Sequence, residues 1–456
     1  MFIGRESELQ IIQSKIDSDR FEFGILYGRR RIGKTRLLSE VARRNKVIYF
    51  VANEMGTEHN LVVLSGIVAD YFKEPVSFSD LSKLLEYLAI KAKTNKLVLI
   101  IDEFTYLLSK SEGLLSVIQN AIDQYLIRTD MTLILSGSHV GMIEDAISYQ
   151  KPLYGRSTFK INLKPFDYYD SAKFYPGFSN EDKVRAYSIF GGIPFYLEKI
   201  DDNKSLKDNV IDLTISSGAA LEDEIVFFLK QELRATASYG SVINAIASGA
   251  TKLNEITYKS NVNETGNTSK YLDVLTGLGI IEKEICFGEK ANSKKTIYRV
   301  KDHFFHFYYE FIESNKSKIA IMDKGLFYKT YVETKLDEYV SFKFEIISKE
   351  FLIRKNRSSK AAEVFDEIGR YWGNNPQLKQ EVEIDLVTKM QSGISVYECK
   401  WTKEPFRLDV VNGLKAKSTH LNPKAFGGFS KSGYSQEALD NLDFHYTIED
   451  FYSISE

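Results

Sequence analysis

An α/β protein is predicted: a parallel sheet with helices on both faces, a helical middle part, and a second, mixed α/β part. Three observations predict it. Short apolar runs at 23–27, 46–52, 97–101, 133–136 and 159–163 alternate with helix-length segments, the pattern of a parallel sheet. Gly28-Arg29-Arg30-Arg31-Ile32-Gly33-Lys34-Thr35 fits G-x-x-x-x-G-K-[ST] between the first run and the helix pattern that follows it. Strand-like runs return beyond about residue 325, behind a long helical pattern.

Bulk properties narrow the function. A chain of 456 residues suggests about three domains, and 43% hydrophobic content supports real cores. The net charge of -2 excludes a general polyanion binder, so any nucleic-acid contact needs a local basic surface. Cys286 and Cys399 are the only cysteines, which excludes a disulfide framework and favours the reducing cytoplasm. No apolar run approaches the ~18 residues of a membrane span, and the charged start Met1-Phe2-Ile3-Gly4-Arg5-Glu6 does not read as a signal peptide. The 27 Tyr and 30 Phe are read as core and interface packing rather than as a site.

The first chemistry is phosphate binding. Glycines let the loop curl so that successive N–H groups point at a phosphate, and the helix N-terminus adds a favourable dipole. Lys34 is expected on the β/γ-phosphates and Thr35 on Mg²⁺, with Gly28, Arg29, Arg30, Arg31, Ile32, Gly33 and Arg36 completing the nucleotide set. The run at 97–101 ends in Asp102-Glu103. A strand emerging beside the loop brings Asp102 to the metal shell and Glu103 to the attacking water as general base. The next run ends in Ser136-Gly137-Ser138, which suits γ-phosphate sensing, holding the lytic water, or a plain turn.

Taken in order, Phe2-Ile3-Gly4-Arg5-Glu6, the loop, Asp102-Glu103, the Ser136 turn and Gly191-Gly192-Ile193-Pro194 resemble the archaeal-type P-loop ATPases. These are relatives of the origin-recognition and signal-transducing switch ATPases. The resemblance covers about the first 200 residues. It implies a P-loop NTPase sheet with a helical lid, ATP and Mg²⁺ as cofactors, and ATP hydrolysis. It places Gly4, Arg5 and Glu6 near the adenine and Pro194 on the nucleotide from the lid. Arg156, in Pro152-Leu153-Tyr154-Gly155-Arg156, is implied at a nucleotide phosphate, in cis or from a neighbouring copy, or else is a solvated arginine. Self-assembly or a protein partner therefore stays open.

The middle part reads as helix at 253–258, turn at 261–266, helix from 268, then a hairpin within 280–300: a winged-helix order. Asn267, Thr268, Ser269 and Lys270 are expected exposed at the start of the second helix, facing a DNA groove. Lys290, Lys294 and Lys295 at the hairpin tip suit phosphates. A role as intramolecular lid is the alternative. The aromatic run 303–309 reads as a packed helix, with His303 and His306 as core-edge residues, and 313–318 reads as a linker.

The last part carries the second signal. Glu383-Ile384-Asp385-Leu386-Val387 and Ile394-Ser395-Val396-Tyr397-Glu398-Cys399-Lys400 flank a Gln391-Ser392-Gly393 turn. Strand alternation puts Glu398 and Lys400 on one side and Cys399 on the other, with Asp385 across the hairpin. Two carboxylates for Mg²⁺ and an ammonium for the water or the developing charge suit phosphoryl chemistry. The arrangement resembles the PD-(D/E)xK nuclease fold, with Glu345 as its helical acid. It also resembles the C-terminal domain of the same ATPases, through Gly369-Arg370-Tyr371-Trp372 and the two acidic strands. That implies a restriction-endonuclease-like domain with Glu345, Asp385, Glu398 and Lys400 as its site, active or silent. Lys415 and Lys417 on the next helix are either near DNA or solvated. The expected division is 1–204 for the ATPase domain, 205–315 for the winged helix and 325–456 for the nuclease-like domain. The function expected is an ATP-driven switch coupled to DNA binding and cleavage, with an ATP-regulated binding module as the alternative.

Overall fold

The computed structural model describes residues 2–111, 113–262, 265–358 and 364–453. The chain forms two compact units, Met1–Pro165 and Phe166–Glu456. Among the described residues no helix is long and apolar enough to cross a membrane.

In the first unit the five apolar runs are all strands: β1 Glu22–Tyr27, β2 Ile48–Val51, β3 Leu97–Asp102, β4 Met131–Gly137 and β5 Phe159–Asn162. They pair in parallel in the order β2-β3-β4-β1-β5. Every residue of β3 and β4 is buried, as a sheet covered on both faces requires. Phe23, Ile25, Leu99, Ile101, Leu133 and Leu135 join one core with helices Thr57–Phe72, Leu81–Lys91 and Leu114–Gln124. Each such side chain, fully buried, contributes roughly 1.5–3 kcal/mol. The order sets β4 between β1 and β3, so the loop after β1, the acids ending β3 and the serines ending β4 meet at one sheet edge.

In the second unit, helices Leu253–Lys259 and Thr265–Gly277 precede an antiparallel hairpin, β6 Ile281–Ile285 and β7 Thr296–Val300. Residues 263 and 264 of the expected turn lie outside the described residues. Two expectations are corrected here. Thr268 is fully buried and faces no groove, because it sits on the same face as Leu272 and Leu275 in the core. Lys295 does not stand free at the hairpin tip; its ammonium lies 5.0 Å over the Tyr371 ring, while Lys290 and Lys294 are exposed.

The aromatic run is helical at His303–Phe307, with His303 and His306 neutral because burial, and then Lys343, hold both well below the ordinary histidine value. The stretch 313–318 is a further correction: it is helical, Glu313–Asn315 and Lys316–Ile321, not a linker. Its polar side chains turn back onto the preceding turns. Ser314 Oγ donates to Tyr309 O at 2.6 Å and Asn315 Nδ2 to Phe311 O at 3.0 Å.

The long helix Thr334–Arg357 then lies against a mixed sheet of order β12-β11-β10-β9-β8. Its strands are β8 Phe365–Asn375, β9 Gln380–Met390, β10 Gly393–Lys400, β11 Ala425–Ser430 and β12 Phe444–Thr447. Strands β8, β9 and β10 run antiparallel in turn, while β11 and β12 continue in parallel. The helix is tied to the start of the unit by Glu350, whose oxygens accept from Tyr168 N at 3.1 Å and Tyr187 Oη at 3.0 Å.

Burial, reinforced by Asp167, pushes the Glu350 carboxyl up to about 8. Its unfolded value is about 4.3, so the stability it contributes is complete below that value and is lost as pH rises toward 8. Glu350→Gln, which keeps an acceptor, should match wild type in urea unfolding near pH 4 and exceed it by roughly 1–3 kcal/mol at pH 8.5. Parallel stability curves across this range would contradict the assignment.

Candidate functional site

The loop at 28–35 is built by backbone conformations that favour glycine. Gly33 has φ +92° at the N-cap of helix Lys34–Arg44. At Gly28, φ is +154° and a Cβ would lie 2.6 Å from Leu163 O. Lys34 is buried at 4% exposure, and its Nζ donates to Gly28 O at 2.8 Å and Arg29 O at 3.0 Å, so the loop wraps its own ammonium. Arg5 binds the loop from the N-terminal segment: Nη2 donates to Lys164 O at 2.6 Å and Ile32 O at 3.4 Å, and Nη1 pairs with Glu8 at 3.1 Å. Gly4 has φ +65°, and Glu6 begins the first helix, Glu6–Ile16.

Asp102 is fully buried at the end of β3. Its Oδ2 accepts from Thr35 Oγ1 at 2.9 Å and from Tyr49 Oη at 3.0 Å, and its Oδ1 accepts from Glu103 N at 2.9 Å. Glu103 turns away from the strand through a left-handed φ of +52°, and its Oε1 accepts from Ser138 Oγ at 2.6 Å. Ser136 is buried with its Oγ lacking a hydrogen-bond partner, so Ser138 is the serine of that turn that touches the acid. Tyr49 is the contact the sequence did not single out, whereas Ser138 belongs to the turn already read as a candidate. Tyr49 lies on β2, outside any motif, and only the strand pairing brings it to Asp102.

Arg156 makes a two-pronged pair with Asp123, Nε to Oδ1 at 2.9 Å and Nη2 to Oδ2 at 2.7 Å, and its Nη1 donates to Pro152 O. Arg30, Arg31 and Arg36 surround the loop in sequence, with Arg31 at φ +68°. Pro194 opens the short helix Pro194–Leu197 of the second unit.

A second constellation forms inside the second unit. The hairpin of β9 and β10 pairs Leu386 with Tyr397, so Asp385 and Glu398 follow side by side. Asp385 Oδ2 accepts from Cys399 N at 2.8 Å. Glu398 is gripped from two elements: Lys400 Nζ on its own strand at 2.8 Å, and Lys417 Nζ from helix Leu408–Ser418. Lys417, read from sequence as DNA-facing or solvated, thus belongs to this cluster, while Lys415 donates to Asn441 Oδ1 at 3.3 Å. Glu345, on the long helix, pairs with Arg370 Nη1 at 3.6 Å, and Arg370 Nη2 also bonds Glu383.

Charge crowding shows in the proton affinities. Burial, then Asp385, Glu284, Glu383 and Glu398, raises Glu345 well above the ordinary carboxyl value. Burial, then Glu398, pushes Asp385 up to about 6 against the pull of Lys417, the Cys399 N–H and Lys400. Burial works to lower Lys400, but Glu398 beside it prevails and raises it. Glu345, Asp385, Glu398 and Lys400 thus lie close enough to shift one another's proton affinities.

Both constellations offer oxygen donors, the ligands of hard divalent cations. In the first, the donor set is one carboxylate and one hydroxyl, which suits Mg²⁺ that keeps waters and takes phosphate oxygens. Among the described residues no three His, Cys, Asp or Glu side chains are arranged to hold a metal ion by themselves.

Residues 2–200 match the family described as an ATPase domain predominantly from Archaea. Residues 308–417 match the family described as archaeal and bacterial proteins of unknown function. Over 406 residues the chain is 32% identical to the uncharacterized protein MJECL04 of Methanocaldococcus jannaschii, covering 88% of each. A 47-residue stretch, 10% of this chain and 80% of the relative, is 38% identical to the uncharacterized ATP-binding protein MJ0423 of the same organism. Among solved structures, the Walker-type ATPase PABY2304 of Pyrococcus abyssi superposes with a TM-score of 0.50 at 20% identity, over 68% of this chain and 96% of that one, a likeness of fold. The chain thus belongs to the family of the M. jannaschii protein MJECL04, with an archaeal-type ATPase domain at residues 2–200 and a C-terminal domain of the second matched family.

Proposed function

We propose that the protein is a nucleotide-driven switch that binds and hydrolyses ATP and couples that cycle to DNA binding and cleavage by its C-terminal part. One observation carries the ATPase reading. Thr35 on the loop helix and Asp102 at the end of β3 share a 2.9 Å hydrogen bond beside Lys34, which joins the phosphate loop to the acidic strand end. Gly28, Gly33 and the loop amides cradle the phosphates, and Lys34 supplies the positive charge. Arg29, Arg30, Arg31, Ile32 and Arg36 line the same loop, while Gly4, Arg5 and Glu6 support the base side. Thr35 and Asp102 hold Mg²⁺, which offsets the charge of the phosphates. Glu103 takes the proton of the attacking water, with Ser138 fixing its carboxylate and Ser136 near the end of the same strand, β4. Arg156 completes the nucleotide set within the first unit.

The C-terminal reading rests on the meeting of Glu345, Asp385, Glu398 and Lys400. Asp385 and Glu398 hold Mg²⁺ there, and Lys400 steadies the nucleophilic water or the charge that develops on phosphate. The three-part division at 1–204, 205–315 and 325–456 belongs to this reading, with residues 253–300 as a winged helix whose exposed Lys290 and Lys294 meet DNA phosphates. The second reading, an ATP-regulated DNA- or protein-binding module with a silent C-terminal site, draws on the double grip of Lys400 and Lys417 on Glu398, which leaves that carboxylate already neutralised.

Lys34→Ala should weaken binding of a fluorescent ATP analogue by at least about tenfold, the loss of ~1.4 kcal/mol. Glu103→Gln should keep that affinity and lower steady-state phosphate release by about 100-fold or more. Undiminished release by Glu103→Gln removes it as the base. With Mg²⁺ and ATP, plasmid cleavage is expected of wild type and not of Asp385→Ala or Lys400→Ala. Identical nicking by all three, or none by any alongside salt-sensitive DNA retention, favours the binding module.

A further inference from the structure

The β6–β7 hairpin is docked within its own unit. Past the end of β6, Cys286 and Phe287 run beside the edge strand β8. Phe287 N donates to Arg370 O at 2.8 Å, and Gly288 N donates to Glu367 Oε1 at 3.2 Å. Trp372 N donates to Cys286 Sγ at 3.4 Å, and the same thiol donates to Trp372 O at 3.3 Å. The Phe287 ring packs with Ile384, Val387 and Val396 in the core of the C-terminal sheet.

These contacts fall on an irregularity in the sheet. Gly369 pairs with Val387 and Tyr371 with Ile384, so Arg370 alone on β8 stands opposite both Leu386 and Asp385 on β9. This is a β-bulge, and a bulge changes where the extra residue aims its side chain. The bulged strand carries Asp385, and the hairpin holds the residue facing it by its carbonyl.

The side chain of Arg370 points to the carboxylates, and it is only 10% exposed. Of its nitrogens, Nη2 bonds Glu383, while Nε and Nη1 are buried without a hydrogen-bond partner, Nη1 being 3.6 Å from Glu345. With one hydrogen bond and one longer ion pair, the aim of this guanidinium depends on where its backbone is held. The ladder to β9 flanks Arg370 on one side, and on the open side of β8 the hairpin supplies the anchor, Phe287 N holding the Arg370 carbonyl.

We propose that the β6–β7 hairpin clamps this bulge and that Arg370 is a positioning residue of the C-terminal site, keeping Glu345 and Glu383 in place beside Asp385. The proposal rests on reading Glu345, Asp385, Glu398 and Lys400 as a site. It gives the hairpin an occupant from its own chain on the Phe287 side. It also makes the carboxylate group sensitive to whatever moves the hairpin.

The test uses the full chain, whose two buried cysteines report separately by mass spectrometry, together with amide hydrogen exchange. Phe287→Ala should raise alkylation of Cys286 by about tenfold and speed exchange in segments 343–347 and 383–387 by about fivefold, with exchange in the first unit unchanged. Arg370→Gln should speed exchange in those two segments and leave Cys286 as protected as in wild type. Arg370→Lys, which restores the positive charge, should bring exchange at 343–347 back to within about twofold of wild type. If Phe287→Ala does not fold, Lys295→Ala, which uncovers Tyr371, serves in its place with the same readouts. Alkylation that rises while both segments keep their exchange rates overturns the clamp. Equal behaviour of Arg370→Gln and Arg370→Lys overturns the positioning role. Neither readout needs catalysis, so absent DNA cleavage by wild type would end the nuclease reading and leave these outcomes to decide the clamp.

Discussion

Carboxylates cannot be gathered away from water without compensating donors or cations, and the two sites meet that constraint in different ways. At the end of β3, Asp102 is met by hydroxyls from Thr35 and Tyr49 and by a backbone N–H. Such neutral donors leave the negative charge of the acid in place for an arriving cation. In the second unit the acids are more numerous and are met by full charges: Lys400 from β10, Lys417 from the following helix and Arg370 from β8. Three separate elements must be in register for that balance to hold. The long helix Thr334–Arg357, which carries Glu345, has to lie against β10 for the same reason.

Much of this is legible in the amino-acid sequence itself. The five strands of the first unit announced themselves as apolar runs short enough to exclude helices, and each lies within two residues of its expected limits. The phosphate loop is a local motif, so its glycine conformations follow from its own residues. Asp385 and Glu398 were placed together by counting back from one tight turn, because antiparallel pairing makes neighbours of residues equidistant from it.

What was not legible depends on contacts that no local pattern encodes. Lys417 looked like any helix lysine until the packing of its helix turned it to Glu398. Thr268 lies on a helix whose two faces are both partly polar, so sequence did not tell which face was inward. The hairpin tip read as a charged wing, yet the apolar Phe287 and the compact Cys286 within it bind the sheet edge, and Lys295 follows them inward. The stretch 313–318 has a linker's composition, but its Ser and Asn side chains bond the carbonyls behind them and extend the helix.

The left-handed backbone at Glu103 has a consequence for how this position can vary. An L-residue with a long side chain is disfavoured there by roughly 1 kcal/mol, whereas glycine and asparagine adopt that geometry with ease. Glu103→Gly or Glu103→Asn would therefore relax the backbone at this corner while giving up the carboxylate that Ser138 holds, so local comfort and that contact pull the position in opposite directions.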